Sequence, residues 1–119
     1  MTRLINTPFT WNTEEQVYPF EKDANGDTLY CKEVSIGTLP NNGSALAAHG
    51  ISNFDPEKIH RAEFRTWDAT ATEFQPWSFG AWGSSTYNHV MTINSTNINF
   101  TTTLDKTAYQ GSARLIYSK

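Results

Sequence analysis

Short strand-like segments recur along this chain and constrain its fold more than any other feature. In residues 60–70, charged side chains alternate with mostly apolar ones, so an extended strand presents one kind on each face. The charged row is Arg61, Glu63 and Arg65, and the other row is Ala62, Phe64 and Thr66. Other strand-like segments are 28–37, 87–93, 97–101 and 112–117. Joined by turns rich in Gly, Asn and Ser, they predict an all-β, antiparallel β-sandwich or barrel-like fold.

The same alternation predicts which side chains form the core. In each of the last two strand segments, apolar residues two apart share one face. We therefore expect Ile98, Phe100, Leu115 and Tyr117 to be buried. The opposite face of the last strand carries Ser112, Arg114 and Ile116, whereas Tyr87, His89, Met91 and Ile93 share a face of the segment before residue 94. Residues 94–96 are typical of a hairpin turn.

Helical signals are few. The best one is Asp55, a capping residue, followed by Pro56 at the first helical position. The apolar residues that follow do not keep a helical spacing. We expect at most one or two short helical turns in the whole chain.

Composition excludes several classes of function. The 119 residues are enough for one domain. The net charge of -3 and the scattered Lys and Arg residues argue against nucleic-acid binding, which needs a basic face. No apolar run approaches the roughly 18 residues of a membrane span, so no membrane insertion is expected. The first residues lack the apolar stretch of a signal peptide, and we expect a chain that is soluble and made in the cytoplasm.

Metal-binding patterns are weak. The three histidines, His49, His60 and His89, are too far apart in sequence for a local zinc signature. Residues 23–27 resemble the opening of a calcium loop, but no bidentate Glu closes it, and a tight turn between strands explains them better. Cys31 is the single cysteine and lies in a strand-like segment, which favours a small packed side chain. We expect no metal and no cofactor.

The sequence contains no catalytic pattern. A nucleophilic site needs a base and an orienting acid, and no nucleophile-elbow motif is present. Glu63, Asp68 and Glu73 could supply the paired carboxylates of a glycosidase, but any chain with twelve acids offers such pairs. We predict that the protein is not an enzyme and assign no catalytic residue.

Aromatic residues concentrate in one region of the chain. Those between positions 67 and 87 are Trp67, Phe74, Trp77, Phe79, Trp82 and Tyr87. Aromatic rings can stack on a pyranose while neighbouring polar groups bind its hydroxyls. Equally, aromatic residues dominate small cores. As a candidate glycan-binding set we choose Trp77, Trp82 and Tyr87, with Arg65 and Asp68 as polar partners.

The N-terminal segment differs from the rest. Residues 7–11 and 17–20 carry aromatic residues beside prolines. Two roles fit residues 1–20: an arm that docks on a neighbouring protein, or an edge strand that packs on its own domain. We take residues 21–119 as the β-sandwich head domain.

Three segments in order resemble a known family. They are Leu29-Tyr30-Cys31-Lys32 with Ile36-Gly37-Thr38-Leu39-Pro40-Asn41, then His49-Gly50-Ile51-Ser52-Asn53, and last Tyr109 to Lys119. This set is similar to the head or tip domains of bacteriophage tail-fibre, baseplate receptor-binding and head-fibre proteins. The chain departs from that pattern at Cys31, where the family usually has a basic residue. Residues 11–20 also make too short a segment for the stem on which such heads sit.

The resemblance implies a function that composition does not show. It implies a homotrimer on the exterior of a virion, made in the host cytoplasm, that recognises a bacterial surface saccharide. Contacts with other virion proteins would run through the N-terminal segment. The alternative is a non-catalytic decoration or assembly subunit of a phage head or tail, whose aromatic residues are buried in protein contacts.

Overall fold

Two antiparallel sheets pack face to face in the computed structural model, which describes residues 9–68, 73–74 and 89–119. The large sheet has the order β1 (Gln16–Lys22), β2 (Thr28–Thr38), β8 (Tyr109–Tyr117), β4 (Ile59–Asp68) and β5 (Glu73–Phe74). The small sheet has the order β3 (Asn41–Ala48), β7 (Asn97–Asp105) and β6 (His89–Ile93). All the strand pairs are antiparallel. The predicted all-β sandwich is confirmed.

One strand of the small sheet has no clear signal in the sequence. β3 has the sequence Asn-Asn-Gly-Ser-Ala-Leu-Ala-Ala, and Asn, Gly and Ala are all depleted in strands. Its backbone nevertheless pairs with β7 along most of its length, from Gly43 opposite Thr102 to Ala48 opposite Asn97. Pairing with a strand distant in sequence therefore overrides the low intrinsic propensity of these residues.

The core lies between the sheets and contains the residues that alternation predicts. Ile98, Phe100, Leu115 and Tyr117 are fully buried, as expected. Across the interface, the ring of Phe64 stacks on that of Phe100, with centroids 5.0 Å apart and planes within 14°. Other buried members of this core are Val34, Ile51, Phe54 and Ala113, and Met91 and Ile93 pack against them.

The outer face of the large sheet carries a second apolar cluster. Leu29, Cys31 and Ile116 are buried there beneath Phe9, Trp11 and Tyr18 of the N-terminal segment. The backbone N–H of Glu33 donates to the carbonyl of Asn12 at 2.8 Å, which ties the same segment to β2. Residues 9–22 therefore pack on their own domain as a cover and an edge strand.

Two predicted turns form as expected. Asp55 caps the single 3-10 turn of the described residues, Pro56–Lys58, by accepting a hydrogen bond from the backbone N–H of Glu57 at 2.9 Å. Asn94 closes the β6–β7 hairpin, because its Oδ1 accepts from the backbone N–H groups of Thr96 and Asn97. Among the residues that the structure describes, no helix is long and apolar enough to cross a bilayer.

Two further turns use polar side chains structurally. The Asp23 carboxylate accepts from the backbone N–H groups of Asn25 and Asp27, at 2.9 and 2.8 Å, and Gly26 supplies a φ of 82°. His49 is buried, and its Nε2 donates to the carbonyl of Asn94 at 3.0 Å while Nδ1 accepts from the backbone N–H of Ile51. The tight-turn interpretation of residues 23–27 is confirmed, and the buried His49 ring has a structural role in its own turn.

Candidate functional site

Three members of the predicted glycan-binding set, Trp77, Trp82 and Tyr87, lie outside the described residues. The other two, Arg65 and Asp68, lie on β4. They are three positions apart in a stretch whose pairing with β8 continues without a bulge, so their side chains point to opposite faces of the sheet. The structure does not bring Arg65 and Asp68 together on β4.

The structure instead places an open cavity on the outer face of the large sheet. Its volume is about 690 Å³. The buried side chain of Ile116 forms the floor, and Trp11 and Tyr18 form one wall. Arg61, Ala62 and Glu63 of β4 and Arg114 of β8 complete the lining. We call this the outer cavity.

Register explains why these side chains share one face. In the pairing of β4 with β8, Arg61 lies opposite Ile116 and Glu63 lies opposite Arg114. Directly opposed residues of an antiparallel pair project from the same face. The charged row that the sequence predicts on β4 therefore borders the cavity, beside the apolar cover contributed by residues 9–22.

Arg114 links the cavity wall to the sheet. Its guanidinium carbon lies 5.0 Å from the centre of the Trp11 ring, a cation–π contact. Its Nε donates to Glu33 Oε1 at 3.1 Å, and Arg65 Nη1 lies 3.7 Å from the other oxygen of Glu33. Glu33 is thus shared by two arginines, and Arg114 is held in one orientation with its Nη edge available.

A second arginine closes another side of the cavity. The guanidinium of Arg61 lies 5.9 Å from the ring centre of Tyr18, and its Nη2 donates to the Tyr18 hydroxyl at 3.3 Å. The same nitrogen is paired with Glu21, whose other oxygen lies 3.7 Å from His60 Nε2. These contacts connect β1 with β4 across the outer face and fix the position of the Tyr18 ring.

Several polar groups at the outer cavity have no partner within the described part of the chain. They are the Glu63 carboxylate, the indole N–H of Trp11 and the Nη groups of Arg114. The first accepts hydrogen bonds and the others donate them. An apolar floor and wall combined with a few polar groups of both kinds is the composition of a small-ligand site.

Metal and thiol chemistry have little support in the described residues. Within them, no group of three or more His, Cys, Asp or Glu side chains is placed to hold a metal ion. Burial raises the pKa of the Cys31 thiol to about 11, so the thiol stays protonated and unreactive at neutral pH. The predicted packed role of Cys31 is confirmed.

The residues that line the outer cavity are distant in sequence, and our candidate set missed them. Trp11 and Tyr18 come from the N-terminal segment, Arg61 and Glu63 from β4, and Arg114 from the last strand. Two signals were present: aromatic residues beside prolines in the N-terminal segment, and the alternating Arg and Glu residues of β4. Neither signal indicates that the N-terminal segment packs beside β4.

Comparisons with known proteins give no family on which a functional assignment could be based. No protein family matches the chain, and no curated protein or solved structure matches it either.

Proposed function

We propose that this protein is a non-enzymatic, glycan-binding head domain of a phage tail fibre or baseplate spike, displayed on the exterior of the virion. The outer cavity is the single observation that supports this most. It combines the apolar surfaces of Ile116, Trp11 and Tyr18 with the unpartnered carboxylate of Glu63 and the Nη groups of Arg114. The family resemblance of residues 29–41, 49–53 and 109–119 supplies the biological setting.

The chemistry of the outer cavity suits a sugar ring. The C–H face of a pyranose packs against aromatic and aliphatic side chains, and its hydroxyls need both donors and acceptors. Arg114 and Trp11 supply donors, whereas Glu63 supplies an acceptor. Neighbouring contacts hold the Arg114 and Trp11 side chains in position, which reduces the entropy lost on binding.

Affinity for one sugar at an open cavity of this kind is weak, and adhesion then depends on several copies acting together. Linked sites gain affinity through effective concentration without any new contact. The homotrimer that the resemblance implies supplies three such sites. We propose that the head domain works in this multivalent form.

A decoration or assembly subunit is the second candidate, and exposed apolar residues on β1 favour it. Val17 and Phe20 are 55% and 57% exposed, beside a smaller open cavity of about 300 Å³ along the same strand. Exposed apolar groups close together mark protein interfaces as well as ligand sites. In the adhesion proposal the same surface contacts other virion proteins.

A glycan array, read together with the mass of the protein in solution, tests the proposed function. We expect the purified protein to bind bacterial surface saccharides and to form a trimer. Arg114→Ala should abolish array binding. Glu57→Gln, at an exposed position on the 3-10 turn away from the outer cavity, is the control that should leave it unchanged. A folded protein that binds no saccharide would favour the decoration subunit.

A further inference from the structure

We propose that the outer cavity selects uncharged saccharides and that Glu63 and Arg114 together hold a pair of neighbouring hydroxyls. This inference rests on the proposed function and narrows it to one class of ligand.

The charges at the rim are balanced before any ligand enters. Three arginines and three glutamates lie on or beside this face, so their formal charges sum to zero, and two of the glutamates are already paired with the arginines. Arg61 is paired with Glu21, and Glu33 is shared by Arg114 and Arg65. An anionic sugar would therefore have to compete with carboxylates that are already in place.

Glu63 is the carboxylate that remains without a partner in the described residues. It lies directly opposite Arg114 in the β4–β8 pairing, yet Arg114 donates to Glu33 on its other side. A sugar carboxylate or phosphate at the Arg114 Nη edge would lie next to Glu63 and be repelled by it. A hydroxyl donates to Glu63 and accepts from Arg114 without this penalty.

The spacing of the two side chains suits a pair of neighbouring hydroxyls. Opposed residues on antiparallel strands have Cβ atoms roughly 4.5–5.5 Å apart. Side chains that start so close can bracket two adjacent ring hydroxyls, one accepting from Arg114 and the other donating to Glu63. The apolar face of the same ring then rests on Ile116 and against the wall formed by Trp11 and Tyr18.

A matched set of sugars tests the selection by charge. The probes are the methyl glycosides of glucose, galactose and mannose, each paired with the methyl glycoside of its uronic acid, which differs only in carrying a carboxylate at C6. Binding is followed by chemical shifts of the isotope-labelled protein at low and at high salt. We expect at least one neutral glycoside to bind roughly tenfold more tightly than its uronic acid, since one unfavourable charge contact is worth about that factor. Salt should change the neutral affinity little.

Glu63→Gln tests whether the charge of the Glu63 side chain, and not its shape, determines which sugars bind. The amide keeps the size of the side chain and removes its charge at an exposed position. We expect neutral binding to fall by roughly tenfold, because hydrogen bonds to charged acceptors are the stronger ones, and uronic acid binding to rise. Glu57→Gln, on the 3-10 turn, should change neither affinity.

The outcomes distinguish the proposed selection for uncharged saccharides from the proposed glycan-binding function. The uronic acids could instead bind the unmodified protein as tightly as the neutral glycosides, or more tightly. That result would overturn the proposed selection for uncharged saccharides and leave the proposed function in place. Equal effects of Glu63→Gln on both classes would also overturn it. If neither class binds and the glycan array is empty as well, both proposals fail. If the array shows binding only to charged saccharides, the selection alone fails.

Discussion

The guanidinium of Arg114 lies 5.0 Å from the centre of the Trp11 ring while its Nε donates to Glu33 at 3.1 Å. One side chain of the central strand β8 thereby joins the N-terminal segment to β2. Two distant parts of the sequence meet at this residue, and the wall of the outer cavity depends on it.

Replacing Arg114 with Lys should loosen this connection. An ammonium group carries the charge but cannot stack as a planar group while donating sideways to Glu33. We expect a loss of about 1 kcal/mol in the free energy of unfolding, the scale of one hydrogen bond to a partly buried charge. Denaturant unfolding measures it.

Arg61→Lys is the matched control for that measurement. Its side chain is 52% exposed, against 26% for Arg114, and exposed ion pairs contribute little. We expect the Arg61 variant to lose clearly less stability than the Arg114 variant. Equal losses would show that the position of Arg114 between Trp11 and Glu33 has no special role.

Phe100→Ala should destabilise the sandwich strongly. The ring is fully buried and stacks on Phe64 across the two sheets. Its removal should cost about 3–5 kcal/mol, the usual effect of deleting a large aromatic side chain from a core. Leu46→Ala, at a position 66% exposed on β3, should change the melting temperature little. A small loss at Phe100 would place the core elsewhere.

Alternation along each strand predicted the β class and one side of the core, because period-2 patterns report directly which residues share a face. The second apolar cluster, around Cys31 and Ile116, could not be predicted in this way. Its burial depends on Phe9 and Trp11, which belong to a segment remote in sequence. The alternating pattern shows which residues share a face of a strand. It does not show which face is covered by another segment of the chain.

The candidate site was predicted less well, for a related reason. Arg65 and Asp68 were chosen for their chemistry, as polar partners of the aromatic residues, although an odd spacing of three on a strand separates their side chains. The outer cavity unites Trp11, Glu63 and Arg114 through the packing of residues 9–22 and the register of β4 with β8. Neither follows from local composition.

Stability should fall at alkaline pH. Burial raises the pKa of Cys31 to about 11, and burial together with the hydrogen bond to Glu15 raises the pKa of Tyr117. The folded protein therefore keeps protons that the unfolded chain releases above about pH 9. The stabilisation is complete below that pH and is lost as the pH rises toward 11.

Cys31→Ala tests the contribution of the thiol. We expect the variant to lose stability less steeply than the unmodified protein between about pH 9 and 11, by up to about 2 kcal/mol over the range. The free energy of unfolding, measured at a series of pH values, gives the two slopes. Parallel slopes would contradict the raised pKa of Cys31.

Acid should weaken the tie between the N-terminal segment and the last strand. Burial raises the pKa of Glu15, but hydrogen bonds from Tyr117 and Lys119 and the charges of Lys119 and Lys32 outweigh it, so the pKa lies below its ordinary value. The carboxylate is ionised and stabilising above about pH 4.3, the value for an unfolded chain. This stabilisation is lost as the pH falls through the folded-state pKa.

Glu15→Gln should remove part of this acid dependence. We expect about 1 kcal/mol less stability at neutral pH, a modest value because the carboxylate is partly exposed. The difference from the unmodified protein should shrink as the pH falls below about 4. Glu14→Gln, at the exposed neighbouring position, is the control and should follow the unmodified protein throughout.

The most direct test of the central claim is to locate the saccharide on the protein. Isotope-labelled protein is titrated with the saccharide that binds most strongly on the glycan array, and the shifts are mapped onto assigned backbone and indole N–H groups. We predict that the largest shifts fall on the Trp11 indole and on the backbone of Glu63 and Arg114, and that Arg114→Ala abolishes them. Shifts confined to other surfaces, with the outer cavity unaffected, would contradict the account.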